Sequence, residues 1–507
     1  MGNVGARVRT TLWDERYEFD ITKLKQFPIP ASKPIAFSRE LDRHSLEMKA
    51  HSPVIEIFKP IQHTHAALDA TKQRWTETRQ RMIALQEELD WECYQLYGLT
   101  ETKLLLPPDQ VPNINLGERA FEIVMARKMA AGELETTWFE RHGSKPITEI
   151  PAHWPKAYRE LVERRIALIE SDRNIGLIEQ PEYKRRWNTE PWDEQLERAL
   201  REWLLNRLEQ YFFGGERMLN PTADGTDVTD KKTQVPPIRA ISEIRGSFPT
   251  GVQPTLVSTN QLAAVVETDA DFLRLAEIYS GGPGFSVSKL VRELVEEESV
   301  PFLPFQRYKE SGLRKRQDWE HVWDLQRKED AVEAELRSQK PGVAEAALKP
   351  LIREKQKQTV GDIPVPPKYG SGDFKKSNWW KLRGKLDVPK ERWISYPGAE
   401  REGDPSPVIA WAGWDHLQQA KALAEYYVDA SQNRGWEPAK LIPLLAGLAD
   451  LLPWLRQWHN DFNPEIGMRF GDYSAGFLDE EARKQGTTVE ALEKVKFGGY
   501  DAITDQR

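Results

Sequence analysis

From Trp192 to Phe212 the large apolar side chains recur chiefly at steps of three and four residues: Trp192, Leu196, Leu200, Trp203, Leu204, Leu208, Tyr211 and Phe212. That spacing lines one face of an α-helix and excludes a half-buried strand, whose faces alternate at every residue. The same period returns at Tyr158, Leu161, Val162, Ile166 and Ile169, and again at Leu441, Leu444, Leu445, Leu448, Leu451, Leu452 and Leu455. Within 66–99, Leu68, Trp75, Met82, Leu89 and Leu96 fall on every seventh residue, so one apolar seam faces a partner helix over several turns, and Gly98 supplies a stop. A chain patterned in this way is predicted to be mainly α, a multi-domain helical architecture with minor extended or β segments.

Turn-forming residues divide it. Residues 1–65 alternate polar and apolar through Tyr17, Phe19, Ile21 and Leu24 and close at Phe27-Pro28-Ile29-Pro30, which reads as a strand or extended arm. A helical domain follows over 66–218, with Gly214-Gly215 at its end. Residues 219–237 are polar, with prolines and threonines, and are expected to be a linker. The next helical domain, 238–362, holds two helices over 271–279 and 285–298, joined by Gly281-Gly282-Pro283-Gly284, and a charged helical span over 307–357. Ile363-Pro364-Val365-Pro366-Pro367 is an extended connector that opens the last region, 363–507, a basic and tryptophan-rich stretch followed by helices in which Pro453 is expected to kink the chain or mark a junction.

A length of 507 residues is enough for two to four domains, each with its own core. No run approaches the roughly 18 apolar residues of a spanning helix, and the first 30 residues lack the basic, apolar and small-residue segments of a secretory signal. The cytoplasm, with no membrane partner, is therefore the expected setting. The single cysteine, Cys93, excludes an internal disulfide and a cluster of thiolate ligands. His63 and His65 flank one residue without a third ligand beside them, while His416 and His459 stand singly on helices. No metal-binding residue is predicted from these.

Charge is the more informative signal. The net charge of −8 argues against a globally basic coat but leaves room for local patches. Residues 363–401 hold nine Lys or Arg against four Asp or Glu, interleaved with Tyr369, Phe374, Trp379, Trp380 and Trp393. Amines that neutralise phosphates beside aromatics that stack bases suit a nucleic-acid backbone. A solvated face over a tryptophan-rich core fits the same composition, and on composition alone it is slightly the better reading. The candidate DNA contacts are Lys184, Arg185, Arg186, Arg314, Lys315, Arg316, Lys368, Lys375, Lys376, Trp379, Trp380, Lys381, Arg383, Lys385, Lys390 and Arg392.

Several strings carry a family resemblance: Leu177-Ile178-Glu179-Gln180-Pro181-Glu182-Tyr183-Lys184-Arg185-Arg186-Trp187, Arg307-Tyr308-Lys309-Glu310-Ser311-Gly312-Leu313-Arg314-Lys315-Arg316, Ser395-Tyr396-Pro397-Gly398-Ala399-Glu400-Arg401, Trp411-Ala412-Gly413-Trp414-Asp415-His416-Leu417 and Trp454-Leu455-Arg456-Gln457-Trp458-His459-Asn460. Together they resemble the carboxyl-terminal half of the PglX adenine-specific DNA methyltransferases of type 2 bacteriophage-exclusion (phage growth limitation) systems, over about 13–492. The resemblance implies an enzyme whose amino-terminal half holds the Rossmann-like core and S-adenosylmethionine, followed by a target-recognition region that 1–65 would end. It further implies double-stranded DNA, the methyltransferase half and other phage-defence proteins as partners, and a split or truncated arrangement for this chain.

The signatures of that chemistry are not found. A glycine-rich turn after a strand would let the backbone approach the cofactor, and an Asn/Asp-Pro-Pro-aromatic loop would hold the exocyclic amine. The nearest strings, Asp404-Pro405-Ser406-Pro407 and Asn463-Pro464-Glu465, lack both the paired prolines and the aromatic, and Gly281 to Gly284 have neither a preceding strand nor a following Lys-Ser/Thr pair. The sequence therefore predicts no complete Rossmann-like methyltransferase core and no catalytic or cofactor-binding residue. The expected role is a non-catalytic DNA-engagement and scaffold module, with the resemblance favouring DNA contact for 363–401. A scaffold that never touches DNA, and an active adenine methyltransferase with an unrecognised site, are the alternatives.

Overall fold

In the computed structural model the described residues are 6–11, 14–18, 25, 28–59, 63–187, 189–212, 254–383, 386, 388–464 and 466–499. The linker expected at 219–237, and Lys385, lie outside them. Two units are distinguished, Met1–Ala199 and Leu200–Arg507, and the structure is mainly α in both.

In the first unit, strands β1 (Ala6–Thr11) and β2 (Asp14–Glu18) form an antiparallel hairpin where an arm was expected. Helix α1 (Ile35–Ala50) packs along α2 (His65–Leu96). The Thr64 hydroxyl caps α2 by accepting the Ala67 amide. Gly98, at φ +67°, ends it: the Gly98 and Leu99 amides turn back to the Gln95 and Tyr94 carbonyls, a pairing that needs the left-handed conformation glycine adopts freely. Of the heptad seam, Leu68, Trp75 and Met82 are buried and Leu89 and Leu96 half-buried. Met82, Ile83 and Trp91 of α2 meet Phe121 and Ile123 of α3 (Ala120–Ala130), and Tyr158, Leu161 and Val162 of α4 (Lys156–Ser171), in one core. The division between the units falls inside α5 (Trp192–Gln210).

The second unit is built from helices α6 (Thr259–Val266), α7 (Ala270–Tyr279), α8 (Val287–Glu297), α9 (Glu310–Gln339), α10 (Glu345–Thr359), α11 (Ser377–Arg383), α12 (His416–Val428), α13 (Pro438–Trp458), α14 (Phe470–Lys484) and α15 (Val489–Val495). Four short strands, β3 (Val257–Ser258), β4 (Ser299–Pro301), β5 (Trp393–Ser395) and β6 (Val408–Trp411), pair in the order β3-β6-β5-β4, parallel only between β4 and β5. This small sheet gathers segments far apart in the chain and is nothing like a doubly wound nucleotide-binding core. Strands β7 (Phe462–Asn463) and β8 (Met468–Arg469) form a separate hairpin. The charged span expected over 307–357 is a helical hairpin, α9 and α10, whose residues beyond the first turns of α9 bury little besides Leu348 and Ile352.

Two expectations about α13 are corrected. It runs through Pro443 and Pro453 without a break, because packing against α12, α14 and α15 holds the helix where each proline removes one backbone donor. It is also long and apolar enough by length and composition to cross a membrane, with 56% of that stretch buried within the fold. Leu441, Leu444, Leu445, Leu448, Leu451 and Leu455 turn inward from it and make it the core helix of its unit.

Candidate nucleic-acid interface

The start of α9 and the segment 368–381 are locked together by one carboxylate. Asp373 accepts hydrogen bonds from Lys315 Nζ at 2.6 Å, Ser311 Oγ at 2.8 Å and the Gly370 amide at 2.8 Å. Burial alone would raise its pKa, but these donors more than offset that and hold it below the usual carboxylate range. Backbone bonds reinforce the clamp, Lys309 N–H to the Asp373 carbonyl at 2.8 Å and Lys375 N–H to the Arg307 carbonyl at 2.9 Å. The chains approach so closely at Gly312 that a Cβ there would stand 2.4 Å from the Asp373 carbonyl oxygen. Beneath lies a small aromatic core in which Tyr308 and Tyr369 stack at 5.1 Å and 9°, with Phe374, Trp379 and Val300 around them. The Trp380 indole N–H donates to the Tyr369 carbonyl at 3.1 Å.

Two basic clusters more than fifty positions apart in sequence thereby share one platform. Arg314, Lys368, Lys375, Lys376 and Lys381 are exposed on it, Lys315 and Trp380 are half-buried, and the Lys376 ammonium rides 5.2 Å from the Trp379 ring. Arg314 keeps only a loose pairing with Glu310 at 4.0 Å, both side chains being largely exposed. Such cations can neutralise phosphates without reading bases.

Five candidates are placed where they cannot do so as the chain is folded. Lys184 is buried between Glu179 at 2.5 Å and Asp90 at 3.0 Å. Burial alone would lower its pKa, and the two carboxylates reverse that and keep the ammonium charged. Arg392 is buried against Glu202 at 2.5 Å and Glu209 at 2.6 Å, and its charge is likewise held despite burial. Arg383 pairs with buried Glu391 at 2.9 Å, and Arg316 with Glu320 at 2.9 Å and Asp450 at 3.6 Å. Trp379 belongs to the aromatic core. Their charges and rings are committed internally, which withdraws them from a phosphate-contact set. Lys390 is exposed outside the clamp; in the first unit Arg185 and Arg186 are exposed, Arg185 lying 4.5 Å over the Trp187 ring. The clamp residue Asp373 was not foreseen, although Gly312 inside a charged helical run was a legible sign of close backbone approach.

The residues present do not fit S-adenosylmethionine. Gly281, Gly282 and Gly284 lie between two helices with no strand before them. Asp404 is satisfied by Ser258 Oγ at 2.6 Å, Asn260 Nδ2 at 2.8 Å and the Ser406 amide at 3.1 Å, a turn with its polar groups already used. Asn463 and Pro464 sit at the β7–β8 turn, and Glu465 lies outside the described residues.

Comparison with known proteins agrees with the resemblance read from the strings above. Residues 82–499 match a family described as a domain of unknown function, DUF7008. The chain is 42% identical over 496 residues to the adenine-specific methyltransferase PglX of Streptomyces coelicolor, a stretch that covers 97% of this chain and 36% of that protein. No solved structure matches the chain.

Proposed function

We propose, from the premise that this chain belongs to the DUF7008 family, that it is the DNA-engaging, non-catalytic part of a PglX-like adenine methyltransferase of bacterial phage defence. In this reading methyl transfer and S-adenosylmethionine belong to another part of the enzyme, and this part holds the duplex and meets other proteins of the defence system in the cytoplasm. The observation that carries it is the Asp373 clamp, which gives Arg314, Lys368, Lys375, Lys376 and Lys381 a fixed common base. Exposed amines on a rigid base gain affinity by releasing counterions from phosphates and set the register of a duplex without specifying its sequence.

A gel shift of the full chain with duplex DNA tests this. Four or five phosphate contacts predict an affinity that falls on the order of 10²-fold or more between 50 and 200 mM salt. The triple reversal K375E/K376E/K381E should weaken binding and flatten the salt dependence; Arg383 is left alone because its buried pair with Glu391 would be broken. Unchanged affinity and slope in that variant would discard the platform, leaving a protein scaffold without DNA contact. Transfer of labelled methyl groups from S-adenosylmethionine to DNA by this chain alone, above a boiled control, would overturn the non-catalytic assignment.

A further inference from the structure

Most tryptophans of known surroundings are buried, but Trp319, Trp323, Trp454 and Trp458 are not, and they touch one another. Trp454 and Trp458 stack at 4.9 Å and 26°, and Trp323 meets Trp454 edge-on at 5.1 Å and Trp319 at 5.5 Å. Trp458 remains 51% exposed. Contiguous indoles left wet on a strongly charged fold are costly unless something covers them.

What covers them is indicated by the helix that carries two of them. Lys315, Trp319, Trp323 and Arg327 are successive fourth residues of α9 and so form one stripe along it. Lys315 is the cation bound to Asp373 on the basic platform. Arg327 stands 4.6 Å over the Trp454 ring, held by Gln457 at 3.0 Å and Asp324 at 3.0 Å. At a rise of about 1.5 Å per residue, Trp323 lies roughly 12 Å along the axis from Lys315, a span of about three to four nucleotide steps of a stacked strand. Flat indole faces between cations, continuous with a phosphate-binding surface, match the chemistry of bases that have lost their pairing partners.

We propose that the four-tryptophan face stacks unpaired bases of the DNA strand whose phosphates lie on the Asp373 platform. This rests on the DNA-engagement reading above. Trp458, exposed and at the end of α13, provides the outermost stacking surface.

Fluorescence anisotropy of the full chain with a duplex, a single strand of the same sequence and a duplex with a single-stranded tail tests it. W458A should weaken binding to the single strand and the tailed duplex at least ~5-fold, the loss of one base–indole stack. Blunt duplex binding should stay unchanged, and W458F should restore most of the loss. Single-strand binding unaltered in W458A overturns the proposal. So does a W458A variant that turns a dimer into a monomer in sedimentation while binding single strands as before, which would make the face a contact between copies of the chain. The two readings fail separately: K375E/K376E/K381E without effect on the blunt duplex removes the platform, whereas a normal response of that variant with no effect of W458A removes only the stacking face.

Discussion

Replacing Glu87 with Gln should stabilise the protein at pH 8 relative to pH 5. Glu87 is fully buried on α2, and its carboxyl titrates near 7 instead of its ordinary 4.5, chiefly because burial penalises the charged form, with Arg165 only partly offsetting that. The nearest Arg165 nitrogen stands 4.0 Å from Glu87, while Arg165 holds Glu88 at 2.7 Å. A folded state that keeps a proton the unfolded chain has released loses stability as pH rises from about 4.5 to about 7, and the full penalty applies above that. The difference of pKa corresponds to about 3 kcal/mol, of which about 2–3 kcal/mol develops between pH 5 and pH 8. Gln keeps an oxygen for the Ala120 amide, which donates to Glu87 at 2.8 Å, and it removes the titration. Urea titrations of both proteins at pH 5, 6, 7 and 8 give the difference directly. A variant destabilised equally at every pH would show that Glu87 is ionised and usefully paired with Arg165 at neutrality, and the argument from burial would be wrong.

Three other substitutions probe the same physics. G312A, which in an ordinary helix interior would gain up to about 1 kcal/mol, should instead cost about 1–3 kcal/mol, because its methyl group meets the Asp373 carbonyl; a stabilised variant in a urea titration would contradict the close approach. K184M should cost about 3–5 kcal/mol by leaving Glu179 and Asp90 without their cation, with E179Q recovering part of the loss and duplex affinity unchanged; weakened DNA binding in a folded K184M protein would return Lys184 to the interface. His416, packed at 5.4 Å from the Trp454 ring, has its pKa lowered from 6.5 to about 4 by burial and then by His459. The stability it contributes is complete above pH 6.5 and is lost as pH falls toward 4, about 3 kcal/mol in all, so H416F should flatten the acid limb of a thermal-denaturation profile, and an unchanged limb would refute the assignment.

Much of the helical framework was legible because burial imposes a period. Tyr158, Leu161, Val162, Ile166 and Ile169 are all buried on α4, and Leu441, Leu444, Leu445, Leu448, Leu451 and Leu455 on α13. The small sheet was not legible: β3 has two residues and β4 three, too short to show an alternation. Prolines misled for the opposite reason. A local rule ends the helix at Pro453, whereas tertiary packing on three neighbouring helices keeps it whole.

The basic residues show where composition stops being informative. Consecutive residues of a helix point about 100° apart, so a run such as Arg314-Lys315-Arg316 cannot present one face: Arg314 is exposed, Lys315 half-buried on Asp373, and Arg316 buried between Glu320 and Asp450. Lys184 and Arg185 divide in the same way, one inside a carboxylate pair and one outside. A charge run therefore predicts how much cation a segment carries but not how much reaches solvent. What assembles a surface here is a contact between segments, the Asp373 carboxylate joining 311–315 to 370–375, and its sequence traces are an acid among lysines and a glycine in a helix. The platform thus depends on the folded clamp more than on the density of basic residues, and loss of Asp373 should disperse it even with every lysine in place.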